Sequence, residues 1–191
     1  MELTDTTTII LVAVLLLVIG GLLAMAFTRF QRTRRLRDRF GPEYDRTLER
    51  VGDKRRVEDE LEARLAHVEN LNIRALSAEE VNRFSLEWQE TQTEFVDQPL
   101  ASVQKADRLI QNVMRTRGYP VEDFEQRAAD ISVHYPDVVI NYRELHEIAT
   151  RGEREKISTE EMRQAMVHGR ELFERLVQSE TNIEEHQKER I

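Results

Sequence analysis

An uncharged apolar stretch from Thr8 to Phe27 constrains the fold of this chain more than any other feature. As a helix rising about 1.5 Å per residue it reaches about 30 Å, which matches the hydrocarbon core of a bilayer. Because backbone amides inside lipid must be satisfied within the segment, the stretch predicts one membrane-spanning helix. The rest of the chain is polar and charged, so it forms a separate domain outside the lipid.

The charges on either side of this stretch predict its orientation. The preceding residues include Glu2 and Asp5 and no Lys or Arg, whereas a cluster of arginines follows. The cluster consists of Arg29, Arg32, Arg34, Arg35, Arg37 and Arg39. Since basic flanks stay in the cytoplasm, we expect residues 1–7 outside the cell and residues 28–191 in the cytoplasm. The same six arginines are candidate contacts for anionic lipid headgroups.

A cleaved signal peptide is the main alternative for the N-terminus. Ala24, Met25 and Ala26 match a small-x-small cleavage site. However, the leading segment is acidic where signal peptides are basic, and the apolar run is longer than about 15 residues. The pattern therefore favours a retained anchor, with an envelope-facing or secreted domain as the alternative.

Small residues on one side of the apolar stretch suggest a dimer contact. Gly20 and Ala24 form a small-xxx-small pair, and Ala13 lies two turns earlier on the same face. Small residues allow two helices to approach closely in lipid. We expect this face to permit homodimerisation, although a plain monomeric anchor also fits the pattern.

The charge balance argues against nucleic acid as the main ligand. The chain has a net charge of −8, and its first 39 residues contain six Arg and three acids. The remaining residues therefore carry a net charge of −11, from 33 acidic and 22 basic residues. Phosphate binding needs a basic face, which this acidic body lacks. The chain contains no cysteine, which excludes disulfides and thiolate catalysis.

The part beyond the anchor is helical in pattern, so the predicted fold class is all-α. An Arg-rich juxtamembrane segment covers residues 28–42, and a charged stalk helix of coiled-coil character is expected over 43–70 with a weak point at Gly52. A compact multi-helix bundle is expected over 77–178, followed by a polar tail over 179–191. Two capping boxes, beginning at Ser77 and Ser158, mark helix starts within the bundle.

Catalytic and metal-binding patterns are missing from the sequence. His146-Glu147 resembles the start of a zinc-protease helix, but Thr150 stands where the second histidine is needed. The chain has no Gly-rich phosphate loop and no nucleophile elbow, and its one Gly-Gly pair, Gly20-Gly21, lies in the apolar stretch. We therefore expect no enzymatic activity, no catalytic or metal-binding residues and no cofactor.

Three stretches resemble a family of uncharacterised bacterial single-pass membrane-anchored proteins. They are RFGPEYDRTLERVGDKRRVEDELEARLAHVE (39–69), RGYPVEDFEQRAADISVHYPDVVINYR (117–143) and RQAMVHGRELFERLV (163–177). The resemblance covers nearly all of the chain after the anchor. It implies a bacterial origin and a membrane association, and it brings no activity, ligand or site residue.

These observations together predict a non-enzymatic protein of the bacterial inner membrane. Its expected role is a tether or scaffold that holds a protein partner, or a second copy of itself, at the cytoplasmic face. The alternatives are an envelope-facing helical module and a sensor of anionic lipid surfaces.

Overall fold

The computed structural model describes residues 2–178 apart from residue 153, and it describes their side chains except for 2–10 and 12–14. Within this part of the chain the regular structure is entirely α-helical, so the all-α prediction is confirmed. The helices are α1 (Glu2–Phe40), α2 (Pro42–Val51), α3 (Lys54–Glu69), α4 (Ala78–Glu94), α5 (Pro99–Arg117), α6 (Phe124–His134), α7 (Val139–Arg151) and α8 (Thr159–Gln178). The predicted polar tail, 179–191, lies outside the described residues.

Helix α1 is one uninterrupted helix of 39 residues, about 58 Å long at about 1.5 Å per residue. Its stretch from Leu15 to Phe40 is long and apolar enough to cross a membrane, and the apolar window in it is wholly unburied. Every residue from 15 to 31 is exposed, including the large side chains of Leu23, Phe27 and Phe30. A globular core helix would instead cover its apolar face against the protein.

The single stalk helix expected over 43–70 is two helices in the structure. Gly52 ends α2 in the left-handed conformation (φ 74°), and its backbone N–H donates to the carbonyl of Leu48 at 2.8 Å. Asp53 then starts α3, because its carboxylate accepts a hydrogen bond from the backbone N–H of Arg56 at 2.9 Å. The chain reverses at this point, so α2 and α3 form an antiparallel hairpin.

The hairpin packs against the end of α1 and forms a first hydrophobic core. Leu36 and Phe40, in the last turns of α1, are fully buried in it. The other members are Tyr44, Val57, Leu61, Val68 and Val133. Val133 belongs to α6, so the core also joins the hairpin to the remaining helices. No flexible linker separates the apolar stretch from this core, because Leu36 and Phe40 lie on the same helix as that stretch.

Helices α4 to α8 surround the second and larger core. Its centre contains Trp88 of α4 stacked on Phe173 of α8, with ring centroids 4.6 Å apart. Both capping boxes expected from the sequence are present: Ser77 and Glu80 bond each other's backbone N–H groups, as do Ser158 and Glu161. The contacts between α7 and its neighbours show that it runs antiparallel to both α5 and α8, as in a bundle.

Gly118 is a point where only glycine fits. It ends α5 with φ 98°, and a Cβ atom there would lie 2.5 Å from the backbone oxygen of Asn72. Gly52 also has a positive φ, but a Cβ atom there would meet nothing within 4 Å. Substitutions at the two glycines therefore distinguish the cost of backbone strain alone from the cost of strain plus a steric clash.

We expect Gly118→Ala to lower the free energy of unfolding by about 3 kcal/mol or more, since it adds a clash with rigid backbone to left-handed strain. Gly52→Ala is the matched control and should cost only the strain, about 1–2 kcal/mol. Urea unfolding in detergent micelles, followed by circular dichroism, measures both. Equal effects of the two substitutions would contradict the close approach at Asn72.

Candidate functional site at the junction of the membrane helix and the bundle

Arg32 is the centre of an ion-pair cluster where α1 leaves the apolar stretch. Its guanidinium donates from Nε to Glu62 Oε1 at 2.9 Å, and from Nη2 to Glu62 Oε2 at 2.7 Å and Asp59 Oδ1 at 2.8 Å. Beside it, the hydroxyl of Thr33 donates to Glu58 Oε1 at 2.5 Å. The bidentate contact with Glu62 fixes the orientation of the guanidinium as well as its distance from the carboxylate. It therefore defines which side of α1 faces α3.

Three more of the predicted headgroup arginines also have acidic partners within the protein. Arg35 contacts Glu62 at 3.3 Å, Arg37 contacts Asp45 at 2.7 Å, and Arg34 lies 3.8 Å from Asp38. Exposed pairs of this kind contribute only about 0–1 kcal/mol each, but they reduce the charge available to a lipid surface. Arg29 and Arg39 are exposed and have no acidic partner among the residues that the structure describes.

A second, buried set of charges joins the hairpin to the bundle. Glu43 of α2 has a fully buried side chain, and its Oε1 lies 3.1 Å from Arg64 Nη1 and 3.3 Å from Arg143 Nη2. Arg143 belongs to α7 and also contacts Glu125 at 2.8 Å. One carboxylate therefore links α2, α3 and α7. Such a buried group is costly to leave unpaired, so the arrangement specifies how the two cores meet.

Helix α6 completes this contact through Asp130 and Ser132. The buried carboxylate of Asp130 accepts a hydrogen bond from Gln126 Nε2 at 2.7 Å and lies 3.6 Å from His67 Nε2. Burial raises the pKa of Asp130 above its ordinary value, and the Gln126 hydrogen bond and His67 oppose that rise. Arg64 Nη1 also reaches Ser132 Oγ at 3.3 Å. The contact between α3 and α6 is therefore polar and specific.

The sequence gives little indication of this polar contact. Glu43, Arg64 and Arg143 lie in strongly charged segments, which usually form solvated faces. Glu43 is separated from Arg64 and Arg143 by 21 and 100 residues in the chain. The acids Glu58 and Glu62 stand four residues apart on one face of α3, which is the spacing of a helix face that pairs with another helix. In the sequence, that spacing is the one sign of the contact between α3 and α1; it gives no sign of the contacts of Glu43.

The predicted dimer face is exposed where the structure describes it. Gly20 and Ala24 lie on the exposed part of α1, and a Cβ atom at Gly20 would meet nothing within 4 Å. The side chain of Ala13 lies outside the described residues. Dimerisation in the membrane through this face stays a prediction.

The described histidines lie beside acids or hydroxyls rather than beside one another. His146 Nδ1 lies 3.0 Å from Asp107 Oδ2, and its ring stacks on Phe124 at 3.8 Å between centroids. His168 contacts Glu144 at 2.6 Å, while His134 bonds to the Tyr119 hydroxyl. Among the described residues no three His, Asp or Glu side chains converge to hold a metal ion. In this part of the chain no hydroxyl side chain is bonded to the His146 ring, as a nucleophile would be.

A groove between α7 and α8 is a concave surface rich in acidic side chains. Its volume is about 380 Å³, and its lining includes Ile148 and Ala165 as well as charged groups. The ionisable side chains of the lining are Glu144, Glu147, Arg151, Glu160, Glu161 and His168. Arg151 contacts Glu147 and Glu161, both at 2.9 Å, so it offsets part of the negative charge. The groove is open and has several charged side chains in its lining, unlike the enclosed pockets that bury small molecules.

Comparison with known protein families, with curated proteins and with solved structures finds no match for this chain.

We expect Glu43→Ala to lower the free energy of unfolding by about 1–3 kcal/mol, because it removes the buried carboxylate that Arg64 and Arg143 share. Each guanidinium then keeps only its outer acid, Glu60 or Glu125. The matched control is Glu174→Ala, which removes an exposed partner of Arg170 on α8 and should change the unfolding midpoint little. Urea unfolding in detergent micelles compares the two variants. A Glu43 variant as stable as the control would show that the buried charges do not hold the two cores together.

Proposed function

We propose that this is a non-enzymatic protein of the bacterial inner membrane, which holds its helical bundle at the cytoplasmic surface as a scaffold for a protein partner. One observation carries the proposal: the exposed apolar stretch and the buried residues Leu36 and Phe40 lie on the same uninterrupted helix. The bundle then has a set distance and direction relative to the membrane. A flexible tether would need a linker at this position.

The orientation is supported by the basic residues that follow the apolar stretch. Arginine pairing inside the folded protein does not remove the sorting signal, because orientation is set by the chain's sequence during insertion. The N-terminal flank carries two acids and no Lys or Arg. The bundle is therefore placed in the cytoplasm in this proposal.

The chemistry of the partner is suggested by the charge of the domain. Residues 40–191 carry 33 acidic and 22 basic residues, and the lining of the groove between α7 and α8 has four acids against one arginine. Electrostatic complementarity favours a partner with a basic surface and disfavours an acidic one. The bundle of a second copy is acidic too, so two bundles would repel each other. We therefore assign self-association to the face of α1 that carries Gly20 and Ala24.

Paired reporters fused at the C-terminus test the placement, one active only in the cytoplasm and one only outside it. We expect activity from the cytoplasmic reporter alone, because six arginines follow the span and none precedes it. Activity from the external reporter alone would contradict the proposal and favour the envelope-facing alternative.

The matched variant for this test carries Glu2→Lys and Asp5→Lys. It gives the leading segment the positive charge that it lacks while leaving every described side-chain contact intact. We expect it to reduce the cytoplasmic signal and raise the external one. Sequencing the N-terminus of the membrane-bound protein distinguishes a retained anchor from cleavage after Ala26, which would cut α1 before its packed end.

A further inference from the structure

Helix α3 runs parallel to α1, away from the apolar stretch. Two contacts show the direction: Thr33 bonds to Glu58, and Arg35, further along α1, contacts Glu62, further along α3. The partners in these pairs differ by 25 and 27 positions in the chain. The contacts of Arg32 with Asp59 and Glu62 give offsets of 27 and 30 positions.

This register places the start of α3 at the level of the membrane surface. Applied to Lys54, offsets of 25 to 30 lead to positions 24–29 of α1. Position 27 is the last residue of the predicted span. The turn at Gly52 and the first residues of α3 therefore return to the height at which α1 leaves the lipid, although α2 separates them from α1 in the chain.

The residues at this level are cations without acidic partners. Lys54, Arg55 and Arg56 are all exposed, and none is within an ion pair among the described residues. The neighbouring Asp53 carboxylate is occupied as the cap of α3. Arg29, at the matching height on α1, is exposed and unpaired in the same sense.

The stability of the helix does not account for these cations. A helix N-terminus carries a partial positive charge, so Lys and Arg in the first turn of α3 are unfavourable there. Helices α2, α4, α6 and α8 begin with acids, and the first turns of α5 and α7 contain neither acids nor cations. The first turn of α3 contains no acid. A negatively charged surface facing this turn would reverse the cost.

We propose that Lys54, Arg55 and Arg56, together with Arg29, form a basic edge that binds the headgroups of anionic lipids. The edge gives the domain a second attachment to the membrane beside α1. It differs from the Arg29–Arg39 cluster predicted from the sequence, because most of that cluster is paired inside the protein. The inference rests on the proposed function, since it requires α1 to span the bilayer.

The test uses the full chain in vesicles of phosphatidylcholine, alone or mixed with phosphatidylglycerol. Glu49 is exposed beside the edge and has no ion pair among the described residues, so Glu49→Cys gives a single labelling site in a chain without native cysteine. A fluorophore there reports quenching by lipids that carry a spin label on the headgroup. We expect about two-fold stronger quenching when phosphatidylglycerol is present.

The variant K54Q/R55Q/R56Q should abolish this difference between the two lipid mixtures. The control R108Q/R154Q/K156Q removes the same charge from three exposed cations outside α1–α3 that have no ion pair among the described residues, and it should retain the difference. Equal quenching in both mixtures, or equal loss in both variants, would overturn the proposal. Retained helicity by circular dichroism shows that each variant is folded.

A separate label at Leu22→Cys tests the membrane span independently of the basic edge. Leu22 lies in the exposed apolar stretch and should be quenched by lipids labelled on the acyl chain in both mixtures. With that quenching present, the phosphatidylglycerol comparison decides the basic edge alone. Absence of quenching at Leu22 would contradict the membrane span and, with it, the basic edge.

Discussion

Burial of Leu36 and Phe40 at the end of α1 is the interaction on which the rest of the arrangement depends. Removing each of these side chains from water contributes about 1.5–3 kcal/mol, more than any exposed arginine pair around them. Both residues are fully buried against α2 and α3. A helix that is apolar and exposed over residues 15–27 is thereby built into a protein core by its last turns. The position of the domain follows from the direction of that helix.

The polar contacts around this core act mainly on geometry. Arg32 selects the face of α1 that meets α3, and Glu43 selects how the hairpin meets α7. Buried ion pairs are weak evidence for net stability, because desolvation offsets the attraction between the charges. Their effect here is to exclude other orientations, in which a buried guanidinium or carboxylate would lose its partner. Apolar packing supplies the free energy, and the charges supply the specificity.

The periodicity of apolar residues predicted the helices well, because each helix buries one stripe against a neighbour. It failed between residues 43 and 70, where Gly52 reverses the chain. The apolar face reads continuously through that glycine, so a hairpin and a straight helix give the same pattern. The charged contacts were harder to foresee, since Glu43 and Arg143 become neighbours only because the hairpin packs on α6 and α6 packs on α7. The parallel register of α1 and α3, and hence the basic edge, depends on that same reversal.

The central claim is that α1 continues without a hinge from the lipid into the folded domain. It is tested by the distance between spin labels at Leu22→Cys and Glu69→Cys in the full chain, reconstituted in vesicles. The register of α3 places residue 69 level with positions 39–44 on the extended axis of α1. At about 1.5 Å per residue, the two labels should lie roughly 30 Å apart with a narrow distribution. A broad distribution would show a hinge after Phe27 and contradict the account.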